Sequence, residues 1–150
     1  MDAETAVDVV RQSIVELCTA DHRGDAETLA RWLANKTVSN FVTWFASVDN
    51  YCVVAEVDGR VSGVGALKRS GEISLLYLAP SVKGRGIGKA VHVALEEQAR
   101  VWDLRELNLE STELACAFYE GLGYRSTGAA RPRFGVLRAY PYVKALQPRQ

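Results

Sequence analysis

The sequence predicts a mixed α/β fold, with a mostly antiparallel central sheet flanked by helices on both faces. Three observations carry that expectation. Apolar residues recur at spacings of three and four in the first 45 positions and again from Ile87 to Val101, the period of amphipathic helices. Between them, residues 51–79 read as consecutive strands separated by Asp58-Gly59 and Ser70-Gly71, turn pairs that send a chain back antiparallel. The third of these strands ends in Leu75-Leu76-Tyr77-Leu78-Ala79. It is apolar on both faces, so it needs cover on both sides.

Each element has its own signal. Val7, Val10, Ile14, Leu17 and Cys18 form one helical stripe, which the polar cluster from Asp21 to Asp25 interrupts. A second stripe runs through Leu29, Trp32 and Leu33, and a short third through Phe41, Trp44 and Phe45. YCVVAEV, RVSGVGALK and EISLLYLA supply the meander, the last spanning Glu72–Ala79. After Pro80, Ile87, Ala90, Val91, Ala94, Leu95 and Val101 make the apolar stripe of a long helix. Leu107 and Leu109 mark a short strand. A helix from about Glu113 closes at Gly121 or Gly123, as glycine commonly closes a helix. Two strands, Tyr124–Gly128 and Phe134–Leu146, flank the turn-rich AARPR and finish the chain.

Composition narrows the function. The 150 residues are 48% hydrophobic and 24% charged, ordinary for one compact domain over 1–150 that folds without disulfides or metal. Cys18, Cys52 and Cys116 are scattered and odd in number, which fits a reducing cytoplasm better than an oxidising compartment. Two histidines and no clustered cysteines leave no structural zinc site, and no metal is expected. Apolar runs of four or five residues are far short of a membrane span, and the acidic amino end lacks the pattern of a secretory signal. Zero net charge argues against a general nucleic-acid binder. The charge is nonetheless uneven. Residues 1–50 hold eight acidic and four basic groups, residues 51–120 ten and eight, and residues 121–150 six basic groups and no acid. That basic end either lies on an acidic face of the same molecule or binds something.

The chemistry concentrates between Pro80 and Lys89. Gly84, Gly86 and Gly88 follow a strand and open a helix, where backbone N–H groups and the helix dipole favour an anion. Lys83, Arg85 and Lys89 add three cations, so a pyrophosphate is the expected guest. A glycine-rich turn that merely lets helix and sheet pack closely would look the same. The spacing fits neither the dinucleotide-binding fingerprint nor the P-loop.

The stretch LLYLAPSVKGRGIGKAVHVALEEQA, from Leu75 to Ala99, resembles the cofactor loop of the GNAT family of N-acetyltransferases. Its step Leu78-Ala79-Pro80 leads into Lys83-Gly84-Arg85-Gly86-Ile87-Gly88. A second family element is matched by Ala115, Phe118, Tyr119, Gly123 and Tyr124, and the order of elements agrees from Val7 to Leu146. Two positions depart from the pattern. Lys83 opens the loop where the family has Gln or Arg, and Thr112 stands where it often has Asn.

The resemblance implies a GNAT-type fold and acetyl transfer from acetyl-CoA, as co-substrate and without metal, to a primary amine. It implies that Leu76, Tyr77 and Leu78 face the thioester, with a backbone N–H of Leu76 or Leu78 on the oxyanion. Lys83, Gly84, Arg85, Gly86, Ile87, Gly88 and Lys89 would hold the pyrophosphate. Tyr119 takes the place of the acid that protonates the departing thiolate. Glu72 shares a strand face with Ser74 and Leu76 and is a candidate base for the acceptor ammonium, or else a solvated hairpin residue; many members use a water chain. Glu110 and Glu56 are weaker candidates. The expected partner is a small-molecule amine, with a protein amine as the alternative, neither nucleic acid nor membrane, and homodimer formation open. A non-catalytic acyl-CoA-binding module and a nucleotide-binding regulatory domain are the rival classes.

Several other residues read as structural. His22 sits in a polar turn as an exposed residue, His92 pairs with Glu96 on the helix surface, and Cys116 and Phe118 belong to the core. Trp32, Trp44 and Phe45 serve packing more than recognition. Arg131 and Arg133 flank Pro132 in the loop before the last strand, with no acid nearby in sequence. They point to an acceptor bearing a carboxylate or phosphate.

Overall fold

A computed structural model describes residues 2–147 of the chain. Four helices come first: α1 (Ala3–Leu17), α2 (Thr19–His22), α3 (Ala26–Leu33) and α4 (Val38–Ala46). Three begin at side-chain caps, Asp2, Asp25 and Thr37, each accepting backbone N–H groups of the first turn. The meander follows as β1 (Asn50–Val57), β2 (Arg60–Lys68) and β3 (Ile73–Leu78). A short turn over Pro80–Val82 leads to α5 (Ile87–Val101), then β4 (Glu106–Ser111), α6 (Cys116–Gly121), β5 (Arg125–Ser126), β6 (Arg131–Phe134) and β7 (Leu137–Ala145).

The strands form two sheets, one in the order β1-β2-β3 and the other in the order β4-β7-β5, with β6 pairing β7; every paired strand is antiparallel. Only a parallel bridge between Glu72 and Asn108, with Asn108 N donating to Gly71 O at 2.9 Å, joins β3 to β4. Beyond it the two strands diverge.

Two apolar cores lie on the two faces of β1–β3. One gathers Val7, Val10, Ile14 and Phe41 of the amino-terminal helices against Val64, Ala66 and Leu75. The other gathers Val91, Leu95 and Ala99 of α5 against Leu67, Ile73, Leu107 and Tyr119. The expected cover on both sides of the third strand is therefore present. Gly63 and Gly65 explain how α5 comes so close to β2: a Cβ at Gly65 would meet Val91 Cγ1 at 2.5 Å. Among the described residues no helix is long and apolar enough to cross a membrane.

The structure corrects several expectations. β3 begins at Ile73, so Glu72 falls in the bridge and not in the strand. The AARPR segment, expected as turn, holds strand β6, which folds onto β7 through Gly135 at φ +54°. His22 is buried, with its ring nitrogens 3.0 Å from Val15 O and 2.9 Å from Gly24 N. His92 is buried too, Nε2 lying 2.7 Å from the Tyr124 hydroxyl. Glu96, its expected partner, binds Arg100 and Lys144 at 2.7 and 2.6 Å. Cys116 and Phe118 are half-buried and pack against the second core, as expected. Arg149 lies outside the described residues.

Candidate active site

The divergence of β3 from β4 opens a cleft of about 310 Å³. Its first wall is β3 itself. Ala79 N donates to Ser62 O of β2 at 2.8 Å, and backbone groups alternate sides along a strand. The N–H and C=O groups of Leu76 and Leu78 therefore turn away from β2, toward β4. No ladder pairing continues there past the Glu72–Asn108 bridge. These are free strand-edge groups beside an apolar cavity, suited to pairing with an extended amide-bearing ligand.

The floor is the loop into α5. Gly84 and Gly86 hold φ of +81° and +80°, with nothing within 4 Å of where a Cβ would stand. The constraint on them is conformational: other residues resist that left-handed region. Gly88 answers a different need, because a Cβ there would press on Phe118 and Leu78 at 3.3 and 3.4 Å. Gly86 is the N-cap of α5, and no side chain caps that end. The first-turn N–H groups of a 15-residue helix thus meet the surface beside exposed Lys83, Arg85 and Lys89, an anion site by geometry and by charge. The loop fits the pyrophosphate of CoA, and the cleft behind it fits the pantetheine arm.

Helix α6 closes the far side. Tyr119 lines the cleft and is only 6% exposed. Burial, reinforced by Tyr77, pushes its phenol well above the usual range, so it stays protonated at neutral pH. Phe118 and Tyr124 hold the ring edge-on at 5.1 and 5.4 Å. Thr112 Oγ1 accepts from Ala115 N at 3.2 Å, and buried Asp21 accepts from Glu113 N and Leu114 N at 2.7 and 3.3 Å. The turn that presents Tyr119 is thereby tied to α2.

Of the residues singled out from sequence, Leu76, Tyr77, Leu78, Lys83, Gly84, Gly88 and Tyr119 come together around the cleft. Arg85, Gly86, Ile87 and Lys89 belong to the adjoining loop and helix start. Glu72 is not brought to the cleft. Half-exposed at the outer end of the bridge, its carboxylate stands 3.6 Å from Lys68 Nζ. Glu110 on β4 does line the cleft. Arg131 and Arg133 are not short of an acid, since Glu110 takes both, at 3.3 and 3.0 Å. Sequence reading passed over Lys36, Ser74 and Ser111, because no local pattern ties any of them to a site.

A split sheet with a free strand edge, a glycine-rich anion loop and a buried tyrosine beside the gap are the features that the resemblance to the GNAT family implies. The chain belongs to the GNAT acetyltransferases: the model of the acetyltransferase (GNAT) domain matches residues 18–146. The chain is similar in structure to a GCN5-related N-acetyltransferase from Rhodopseudomonas palustris, at 23% identity and a TM-score of 0.85 over 97% of this chain and 90% of that one. It is also similar to the PaiA N-acetyltransferase from Thermoplasma acidophilum, solved with coenzyme A, at 20% identity and 0.76 over 97% and 93%. An aminoglycoside 6'-N-acetyltransferase, likewise complexed with coenzyme A, is 16% identical with a TM-score of 0.70 over 99% and 92%. No curated protein sequence matches the chain.

Proposed function

We infer that the protein moves the acetyl group of acetyl-CoA to the primary amine of a small molecule. The observation that carries this reading is the cleft, where the free backbone edge at Leu76 and Leu78 faces Tyr119 across the gap between β3 and β4. When bound, acetyl-CoA supplies an acetyl group activated as a thioester. The residues of this chain do the rest. Gly84, Gly86 and the uncapped start of α5 receive the pyrophosphate, and Lys83, Arg85 and Lys89 neutralise it. A backbone N–H at Leu76 or Leu78 stabilises the charge that gathers on the carbonyl oxygen, a contribution of ~3–4 kcal/mol where one such donor has been removed elsewhere.

Tyr119 serves the departing sulfur. An ordinary thiol has a pKa of ~8.5, well below that of this phenol, so the phenol stabilises the thiolate mainly by donating a hydrogen bond to it. The nitrogen of the acceptor gives up two protons: the ammonium loses one to solvent before attack, and the second, shed as the C–S bond breaks, ends on the sulfur. Glu72 stands with Lys68 outside the cleft, so the ammonium loses its proton through water at the polar rim, where Ser74, Glu110 and Ser111 lie.

The test is release of free CoA from acetyl-CoA over a panel of primary amines, with thermal shift by acetyl-CoA measured alongside. Turnover with any small amine supports the reading. A thermal shift with no turnover across the panel would leave a binding module, and the absence of both would remove acetyl-CoA from the account.

A further inference from the structure

Across the splayed strands from the cleft, beneath the β6–β7 hairpin and beside α3, lies a second cavity of about 160 Å³. Ser74, Tyr77, Glu110, Ser111 and Thr112 line both spaces, so an acceptor seated in the second reaches the first. The hairpin tip is fixed over it by Val136 N, which donates to buried Thr28 Oγ1 at 2.9 Å. Its volume is well under the ~300–1,000 Å³ of pockets for drug-sized ligands. The space therefore holds a small group of the acceptor.

The charge of this cavity is one-sided. Arg31, Lys36, Arg133 and Arg138 line it against one carboxylate, Glu110, and Arg31 is answered from outside the lining by Glu27 at 3.7 Å. That carboxylate is already divided between Arg131 and Arg133. Lys36 and Arg138 enter none of the ion pairs of the described residues.

Lys36 is the informative member. It is 9% exposed, and its Nζ donates only to neutral acceptors, Asn35 Oδ1 at 2.6 Å and Trp32 O at 3.4 Å. The fold holds it there: Arg11 Nη1 donates to Leu33 O and Lys36 O at 2.9 and 3.1 Å, pinning the turn between α3 and α4. Burial, and then the charge of Arg133, bring its ammonium down to about 8, so at neutral pH it is still charged. A buried charge without a counter-ion is costly. A bound anion would relieve that cost, whereas a cation would add to it.

We propose that this cavity seats the carboxylate or phosphate of the acceptor, with Lys36 and Arg138 as recognition residues, so that the substrate class is a small primary amine bearing an anionic group. The place of the amine rests on the acetyl-transfer reading; the anion site does not. The same excess of positive charge selects against polycationic amines by repulsion.

Two matched pairs test it: β-alanine against ethylamine, and O-phosphoethanolamine against ethanolamine. Binding to the CoA-loaded protein is measured by calorimetry, and kcat/KM is measured with acetyl-CoA, for the parent, Lys36→Met and Arg138→Gln. The anionic member of at least one pair is expected to win by ~10-fold or more, the worth of one charge-assisted contact. Which pair shows the larger ratio tells carboxylate from phosphate. The ratio should fall toward one in Lys36→Met and shrink in Arg138→Gln, and unliganded Lys36→Met should melt no lower than the parent. Parity within both pairs in the parent, or an unchanged ratio in both variants, overturns the anion site. Lys36-dependent anion binding without turnover of any amine supports the site and overturns acetyl transfer; turnover without charge preference does the reverse.

Discussion

The two sides of the cleft are built on different principles. The donor side is nearly continuous in sequence, running from Ile73 to Lys89 with Tyr119 added from α6, and much of its binding surface is backbone. The acceptor side is assembled from separate segments, Lys36, Glu110 and the β6–β7 hairpin with Arg133 and Arg138, and it works through side chains. A ligand shared by a whole family can be held by main-chain geometry that tolerates drift in side chains. A ligand particular to one member needs side chains, and a few substitutions can change it. The loop's departure at Lys83 is therefore mild, because Gly84 and Gly86 still set the backbone.

That contrast can be broken by experiment, and the largest expected effect lies where the two sides meet. Tyr119→Phe removes one hydroxyl from a packed ring. Turnover should fall ~10²–10³-fold, the worth of one hydrogen-bond donor aimed at developing charge, while acetyl-CoA still raises the melting temperature as in the parent. Unchanged turnover would make Tyr119 a packing residue. Next comes the donor loop. Saturation at ~100 times the dissociation constant should stabilise the parent by ~2.7 kcal/mol. Gly86→Val should lose this shift and, without ligand, melt below the parent by the ~1–3 kcal/mol that a φ of +80° costs a β-branched residue, while still folding, since no atom lies within 4 Å of the new Cβ. Lys83→Ala should keep most of the shift. If the alanine variant loses more than the valine variant does, side chains and not backbone hold the pyrophosphate.

What could be read from the sequence divides along the same line. Strand β3, the glycine loop and α5 are local patterns of period two, turn residues and period three to four, so their place was legible without knowing the fold. Tyr119 was legible through the Ala115–Tyr124 motif. The acceptor side was not. Arg131 and Arg133 lack an acid in their own segment, but β7 lies between β6 and β4 and brings Glu110, 21 and 23 residues away, to both. Strand β6 was hidden because Arg131, Pro132 and Arg133 read as a turn and only pairing with β7 extends them. Lys36 has no periodic neighbour that would mark it as buried. Glu72 shows the opposite failure: a two-residue period put it on the strand, but the strand starts one residue later.

His92 teaches the same lesson in a form that pH can test. Helical spacing sets it four residues before Glu96, as a surface pair would be, but Tyr124 folds across it after α6. Burial holds the imidazole down at about 4, with Glu96 pulling up and Lys144 pushing down. An unfolded histidine titrates near ~6.5, so between these values the unfolded chain binds a proton that the native protein refuses. Stability from this residue is therefore complete above pH ~6.5, falls as the pH drops toward 4, and changes no further below that. The loss should reach roughly 2–3 kcal/mol by pH 4.5, and it falls on the packing of α5 against Tyr124, not on ligand contact. Denaturant melts of the parent and His92→Gln at pH 7 and pH 4.5 isolate it, since the carboxylates that also titrate there are common to both proteins. The parent should lose more stability than the variant over that interval. Equal losses would mean that His92 takes its proton inside the folded protein, and that the ring is open to solvent as its helical spacing suggests.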